Sequence, residues 1–158
     1  MFSQAVEYSM RAMALLTQHH GTPLTVQTIA ERAQIPAPYL SKLLQTFTRA
    51  GLVAAQRGVG GGYVLTRSPT KISLADVINV VEPLQRIRSC PLGIAGHASL
   101  CPLHRKVDEA LATVEKAFTH TNLAELCKDA GAATPLCSKK TLTSLKLPSK
   151  KATKQTER

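Results

Sequence analysis

The sequence predicts a mainly α-helical fold: a winged helix-turn-helix with a small β-hairpin wing, then a long C-terminal dimerisation helix and a disordered basic tail. Three observations lead to this prediction: two helical patterns joined by a short proline-containing turn, a glycine-rich hairpin directly after them, and a long apolar stripe further along. We expect the winged helix-turn-helix over residues 1–83, a cysteine- and histidine-containing loop over 84–101, the dimerisation helix region over 102–127 and the tail over 128–158.

The first two predicted helices have clear ends. Apolar residues recur at spacings of three and four over residues 3–19, and Gly21 and Pro23 end that pattern. Thr25 is the expected N-cap of a second helix over about residues 26–33, because its hydroxyl can accept from the free N–H groups of the first turn.

The third predicted helix opens at Ala37 and Pro38, since proline is tolerated in the first helical turn. Gly51 supplies its C-terminal stop. We expect its inner face to consist of Tyr39, Leu40, Leu43, Leu44 and Phe47.

The wing is predicted from two short apolar runs, 52–55 and 63–65, which flank Arg57 and the glycine-rich residues 58–62. Four glycines within five residues preclude a helix and favour a hairpin whose tip approaches another molecule closely. A glycine turn that is merely tight is the alternative.

Two further helices follow. One is expected over about residues 74–82, with Ser73 as its N-cap. The other begins at Pro102 and has little of its own chain left to cover its apolar stripe, so we assign the stripe to a two-fold related copy; packing on the first helix is the alternative. The stripe consists of Leu103, Val107, Ala110, Leu111, Val114, Ala117 and Phe118.

The charge favours a polyanionic partner, because 20 Lys and Arg against 10 Asp and Glu give a net charge of +10. Residues 128–158 hold 8 basic and 2 acidic residues, and their low content of large apolar residues predicts disorder.

The low aromatic content favours duplex DNA over single strands as the partner, because the chain has only three Phe, three Tyr and no Trp on which single-stranded bases could stack. The chain has no apolar run of the roughly 18 residues that span a membrane, so we expect a cytoplasmic protein without a membrane partner.

Four segments resemble a known family: EYSMRAM from Glu7, IPAPYLSKLL from Ile35, GLV from Gly51 and RGVGGGYVL from Arg57. Together they are similar to the Rrf-type winged-helix transcription regulators, the group that includes IscR, NsrR, RirA and CymR, over residues 1 to about 127. The resemblance implies a homodimer on a partly palindromic operator that controls iron-sulfur, nitric-oxide, redox or cysteine-related genes.

The third helix and the wing are the expected DNA-contacting parts. Polar side chains on this helix fall outside its inward stripe, with a solvated face as the alternative, and Tyr39 suits the core or a phosphate contact equally. Arg49 suits a phosphate contact or the helix C-terminus, and Arg57 is placed to enter an adjacent minor groove. The predicted contact set is Pro38, Tyr39, Ser41, Lys42, Gln45, Arg49, Arg57, Gly60 and Gly61.

The segment CPLGIAGHASLCPLH suggests a metal or cluster site, because two thiolates and two imidazoles suffice for one. The resemblance implies three cysteines in this loop, with a fourth ligand from a following histidine or from an acidic residue of the other subunit. Here the middle cysteine is missing and His97 lies near its place. The candidate ligands are Cys90, Cys101, His104, Glu7 and His97, for a [2Fe-2S] cluster, with zinc, a thiol switch or an inert loop as alternatives.

No phosphate-binding glycine loop or paired-carboxylate motif occurs, so we do not expect an enzyme. We expect a homodimeric transcription regulator, a repressor rather than an activator, that is switched by a cluster or by redox state. Two alternatives stay open: a cofactor-free regulator controlled by a partner protein or by thiol oxidation, and a basic protein that binds DNA without sequence preference. Cys127 and Cys137 are not expected to be ligands.

Overall fold

The computed structural model describes residues 2–90 and 100–128. Within these ranges the order of elements confirms the predicted mainly helical fold with a two-stranded wing. The remainder of the cysteine loop, residues 91–99, and the tail from residue 129 lie outside the described residues. The elements are α1 Gln4–Gln18, α2 Val26–Ala33, α3 Ala37–Arg49, β1 Val53–Gln56, β2 Gly62–Leu65, the short 3₁₀ helix Pro69–Lys71, α4 Leu74–Val81, α5 Pro102–His120 and α6 Leu123–Lys128.

The helix ends lie where the local sequence predicts them. The Thr28 N–H donates to Thr25 Oγ1 over 3.1 Å at the start of α2. At the start of α4, the Ser73 N–H donates to Asp76 Oδ2 over 2.9 Å and the Asp76 N–H donates to Ser73 Oγ over 3.0 Å, which is a capping box. Gly51 follows α3 with a φ of +71°, a conformation that glycine adopts without steric cost.

One hydrophobic core joins the helices and the wing. Phe47, Leu40 and Leu44 of α3 are fully buried in it together with Met13 of α1. The chain returns to this core after α5, since Leu123 of α6 is also fully buried. The backbone completes the return: the Leu123 N–H donates to the Ile72 carbonyl over 2.9 Å, and the Leu74 N–H donates to the Thr121 carbonyl over 2.9 Å.

The wing is an antiparallel hairpin in which Val53 of β1 pairs with Leu65 of β2. A third backbone segment joins it, because the Leu24 N–H donates to the Tyr63 carbonyl over 3.1 Å and the Tyr63 N–H donates to the Leu24 carbonyl over 2.8 Å. At Gly62 a Cβ atom would lie 2.4 Å from the Leu24 carbonyl oxygen, so this position has room only for glycine. The wing is therefore fixed to the turn that precedes α2.

No residue of α5 is buried. Five apolar residues of this helix are exposed, with exposed fractions of 68% for Leu103, 41% for Val107 and 36% for Val114. The predicted stripe is wrong at Phe118, which is half-buried with its ring centroid 5.4 Å from that of Phe2. Leu111, which is seven residues before Phe118 and therefore on the same side of the helix, is half-buried as well. The exposed stripe consists of Leu103, Val107, Ala110, Val114 and Ala117.

None of the helices within the described ranges is both long and apolar enough to cross a lipid bilayer.

Candidate DNA interface and thiol–imidazole cluster

Helix α3 presents one exposed polar face. Pro38, Lys42, Gln45 and Arg49 are all exposed, and their spacing of four, three and four residues places them along one side of the helix. The opposite side carries the buried leucines and Phe47. The side chains predicted to reach DNA from these four positions are therefore free of the core.

The sequence left Tyr39 open between the core and a phosphate contact; it is not part of the inner face, because 39% of its surface is exposed. Its ring lies edge-on to that of Tyr8, with 5.5 Å between the centroids. The hydroxyl of Tyr8 accepts a hydrogen bond from Gln4 Nε2 over 3.0 Å, so α1 holds Tyr39 at the start of α3. The Ser41 hydroxyl is half-buried and donates to the Ala37 carbonyl over 3.0 Å.

At the wing, Arg57 is exposed and Gly60 is open, with no heavy atom within 4 Å of the position that a Cβ would take. Gly61 differs, because a Cβ there would lie 2.4 Å from the Gln56 carbonyl oxygen, and its N–H donates to the Gly58 carbonyl over 3.0 Å. The turn itself thus requires glycine at position 61. A contact between Gly61 and DNA stays a prediction.

The region that contains α3 and the wing has only positive formal charges. Between Glu31 and Asp76 the sequence has six Lys or Arg and no Asp or Glu. Lys42, Arg49 and Arg57 are exposed, and none of them forms an ion pair with another residue that the structure describes. Exposed cations create a positive potential that attracts a polyanion.

Three of the predicted ligands come together at the start of α5. Cys101 is the N-cap residue of this helix, and its Sγ lies 3.3 Å from His104 Nδ1. Cys90 Sγ lies 3.9 Å from the same nitrogen. We call Cys90, Cys101 and His104 the thiol–imidazole cluster; all three are half-buried.

The other two predicted ligands are not in this group. His97 lies outside the described residues, and Glu7 is exposed on α1, where it forms an ion pair with Arg11 over 2.9 Å. Among the described residues no group of three or more His, Cys, Asp or Glu side chains is arranged so that it could hold a metal ion. Two thiols and an imidazole nevertheless match the donor preference of zinc and of iron-sulfur clusters, and a further ligand must come from elsewhere.

An ion-pair network next to this cluster was not predicted from the sequence. Arg86 donates to both carboxylate oxygens of Asp108, from Nε over 2.7 Å and from Nη2 over 2.6 Å, and from Nη1 to Glu115 over 3.2 Å. The Ile87 N–H adds a hydrogen bond to Asp108 Oδ1 over 2.9 Å. The hydrogen bonds from Arg86 hold the pKa of Asp108 below its usual value. We call Arg86, Asp108 and Glu115 the Arg86 clamp.

Cys127 lies on α6, with its Sγ 3.9 Å from the carbonyl oxygen of Ala14 in α1. Burial raises the pKa of this thiol, because the thiolate would lose solvation there. Its chemistry is that of a packed thiol.

A helix-turn-helix followed by a β wing, with exposed cations on its third helix and wing, defines the class of winged-helix DNA-binding regulators. The chain belongs to the Rrf2 family, described as "Iron-dependent Transcriptional regulator", whose sequence pattern matches residues 2–129. Members of this family regulate transcription and are not enzymes. Two expectations from the sequence are thus confirmed: a transcription regulator, and a protein that is not an enzyme.

Named relatives support the same assignment. The HTH-type transcriptional regulator IscR of Cereibacter sphaeroides is 32% identical over 129 residues, which are 77% of this chain and 83% of that protein. The structure of T. potens IscR has a TM-score of 0.70 at 30% identity and covers 82% of this chain and 88% of its own. CymR, the global cysteine regulator of B. subtilis, has a TM-score of 0.70 at 27% identity, with 81% and 96% covered.

Proposed function

We propose that the chain is a homodimeric transcriptional repressor that binds a partly palindromic operator. The observation that carries this proposal is the exposed face of α3, where Lys42 and Arg49 have no described ion-pair partner; residues 32–75 contain no Asp or Glu. Helix α3 enters the major groove, and Lys42 and Gln45 reach base edges or phosphates there. Arg57 extends from the wing into the adjacent minor groove.

The exposed stripe on α5 supports dimerisation. Its residues recur at alternating spacings of four and three, from Leu103 to Ala117, which is the pattern of a two-stranded coiled-coil seam. Apolar residues at this spacing are covered by the same face of a second copy of this chain. The dimer then presents two α3 helices to half-sites about one DNA turn apart, roughly 34 Å.

The thiol–imidazole cluster is the proposed site of regulation. Cys90, Cys101 and His104 would hold a [2Fe-2S] cluster or zinc, and Glu7 of a second copy or His97 would complete the ligands. A bound cluster supplies a centre that changes charge with redox state. Cys101 is the N-cap residue of α5, two residues before Leu103 of the exposed stripe, so the proposed site would adjoin the proposed dimer seam.

In this proposal the parts of the chain have separate tasks. Residues 1–83 bind DNA, residues 84–101 receive the signal and residues 102–127 form the dimer. The basic residues of 128–158 add attraction to phosphates without sequence preference.

A second candidate is control of the same regulator by thiol oxidation or by a partner protein, with no metal. It is favoured by the presence of two cysteine sulfurs beside one imidazole nitrogen, at 3.3 and 3.9 Å. The likeness to CymR, named as a cysteine regulator, is compatible with it. Metal and sulfide content of protein purified without oxygen separates the two candidates.

The DNA-binding proposal is tested by selecting duplexes from a random library with the purified full chain. The expected result is one enriched motif with two related half-sites about one helical turn apart, bound by two chains per duplex. Enrichment without a motif, or one chain per site, would contradict it and would favour the nonspecific alternative.

A further inference from the structure

We propose that Arg86 is a positioning residue, which holds Cys90 beside His104 by fastening the segment after α4 to α5 through the Arg86 clamp. This inference rests on the proposed function in one respect, since it gives the thiol–imidazole cluster the role of regulatory site. The new element is the Arg86 clamp, which keeps Cys90 next to the other two residues of that cluster.

The clamp and the cluster are neighbours on α5. His104 and Asp108 are four residues apart in one helix and therefore lie on the same face, one turn from each other. Cys90 is only four residues beyond Arg86 in the sequence. The two hydrogen bonds from Arg86 to Asp108 thus fix the segment after α4 at a point one helical turn from the His104 imidazole. Cys90 contacts that imidazole.

Besides the Arg86 clamp, the described structure holds this segment through Leu84, which packs against the hydrophobic core. Residues 83–90 form no helix or strand, and none of them makes a backbone–backbone hydrogen bond to another described residue. The Leu84 N–H donates to Asn79 Oδ1 over 3.0 Å, which fixes only the beginning of the segment. Arg86 and Ile87 donate hydrogen bonds to Asp108 and Glu115 of α5, and Cys90 adds its 3.9 Å contact with His104 of the same helix.

The geometry of the clamp is specific to arginine. A planar guanidinium donates to both oxygens of one carboxylate in parallel, which fixes direction as well as distance. Asp108 accepts a third hydrogen bond from the Ile87 N–H, so the backbone next to Arg86 is fixed too. Two side chains that only attracted each other would leave the orientation of the segment free.

The test measures how close Cys90 is kept to Cys101, in metal-free full-length protein with Cys127→Ser and Cys137→Ser. Glutathione disulfide is the oxidant: one thiolate displaces one glutathione, the other displaces the second, and two protein thiols become one disulfide while two glutathiones are released. We expect Arg86→Met to lower the rate of the intramolecular step by at least about tenfold, because a loose segment gives a lower effective concentration.

Lys106→Met is the matched control, since Lys106 forms an ion pair with Glu109 over 2.7 Å on the same helix but takes no part in the clamp. We expect its rate to equal that of the parent protein. Asp108→Asn is a second variant, in case Arg86→Met does not fold. It should also lower the rate of the intramolecular disulfide step. In the double variant, Asp108→Asn should add nothing to Arg86→Met.

Equal rates in the parent protein, in Arg86→Met and in Asp108→Asn, with the fold intact by circular dichroism, would overturn the inference. Additive effects in the double variant would also overturn it. Binding of Co²⁺ by the parent protein, followed by its thiolate absorption, is measured in parallel. A parent protein that forms the disulfide quickly but binds no Co²⁺ would reject the proposed metal site and leave the role of Arg86 supported by the rates.

Discussion

Leu24 and Tyr63 exchange two backbone hydrogen bonds, of 3.1 and 2.8 Å, and so join the wing to the turn that opens the helix-turn-helix. The wing is therefore attached through its backbone to the segment before α2, and Arg57 extends from a hairpin whose base is held in place. In the proposed complex with DNA, this pairing sets the distance between the groove that α3 enters and the groove that Arg57 enters.

Gly62→Ala should destabilise the protein, because its Cβ would lie 2.4 Å from the Leu24 carbonyl oxygen and would force the two backbones apart. The expected loss in the free energy of unfolding is about 1–3 kcal/mol, the usual cost of overpacking. Urea denaturation measures it. Val59→Ala, at the fully exposed wing tip, is the control and should leave the stability unchanged. Equal stability of both variants would show that the close approach can relax without cost.

Arg57→Ala should weaken operator binding about tenfold at fixed salt, about 1.4 kcal/mol, if the side chain enters the minor groove. Lys106→Ala removes the same charge from the exposed side of α5 and should have little effect. Fluorescence anisotropy with the selected operator compares the two. An unchanged affinity for Arg57→Ala, or an equal loss in both variants, would contradict the assignment.

Helix boundaries and caps could be predicted from the sequence because their causes are local: Thr25, Ser73 and Gly51 act on residues within one turn. The exposed face of α3 followed from periodicity for the same reason. The Leu24–Tyr63 pairing and the Arg86 clamp could not be predicted, since their partners are distant in the sequence and no pattern at either end indicates the other.

The periodicity of α5 did not show which of its apolar residues pack against the same chain. On α5 it grouped Phe118 with the exposed stripe, although Phe118 turns toward Phe2 of its own chain. A broad apolar stripe predicts that a helix is covered, but it does not show which residues are covered by which partner. At Tyr39, an aromatic residue at an inward spacing is held partly exposed by its ring contact with Tyr8.

Val107→Glu should dissociate the proposed dimer, because it places a charge in the middle of the apolar seam, where it would be buried without a partner. Thr113→Glu puts the same charge on the same helix at an exposed position outside the stripe, and should leave the dimer intact. Sedimentation equilibrium gives the association state of both. A Val107→Glu variant as dimeric as the parent protein would show that α5 is not the seam.

The Arg86 clamp should make stability depend on pH in the acidic range. The pKa of Asp108 in the folded protein lies below its ordinary value of 3.8, chiefly because of the hydrogen bonds from Arg86. A lowered folded-state pKa gives a contribution that is complete above the ordinary value and is lost as the pH falls through the folded value. Above about pH 4 the full contribution is expected.

The measurement is the free energy of unfolding of the parent protein and of Asp108→Asn between pH 7 and pH 2. The difference between them should stay constant down to about pH 4 and shrink below it. A difference that already shrinks between pH 7 and pH 5, or that never shrinks, would contradict the hydrogen-bonded carboxylate seen in the structure.

Operator affinity before and after oxidation shows whether the proposed DNA-binding dimer responds through the thiol–imidazole cluster. Protein purified without oxygen is titrated onto the selected operator, then again after exposure to air, alongside the Cys90→Ala variant. We expect oxidation to change the affinity of the parent protein at least about tenfold, while Cys90→Ala keeps one affinity in both states and retains its fold. A Cys90→Ala variant whose affinity still follows the redox state would show that the response does not pass through this cluster.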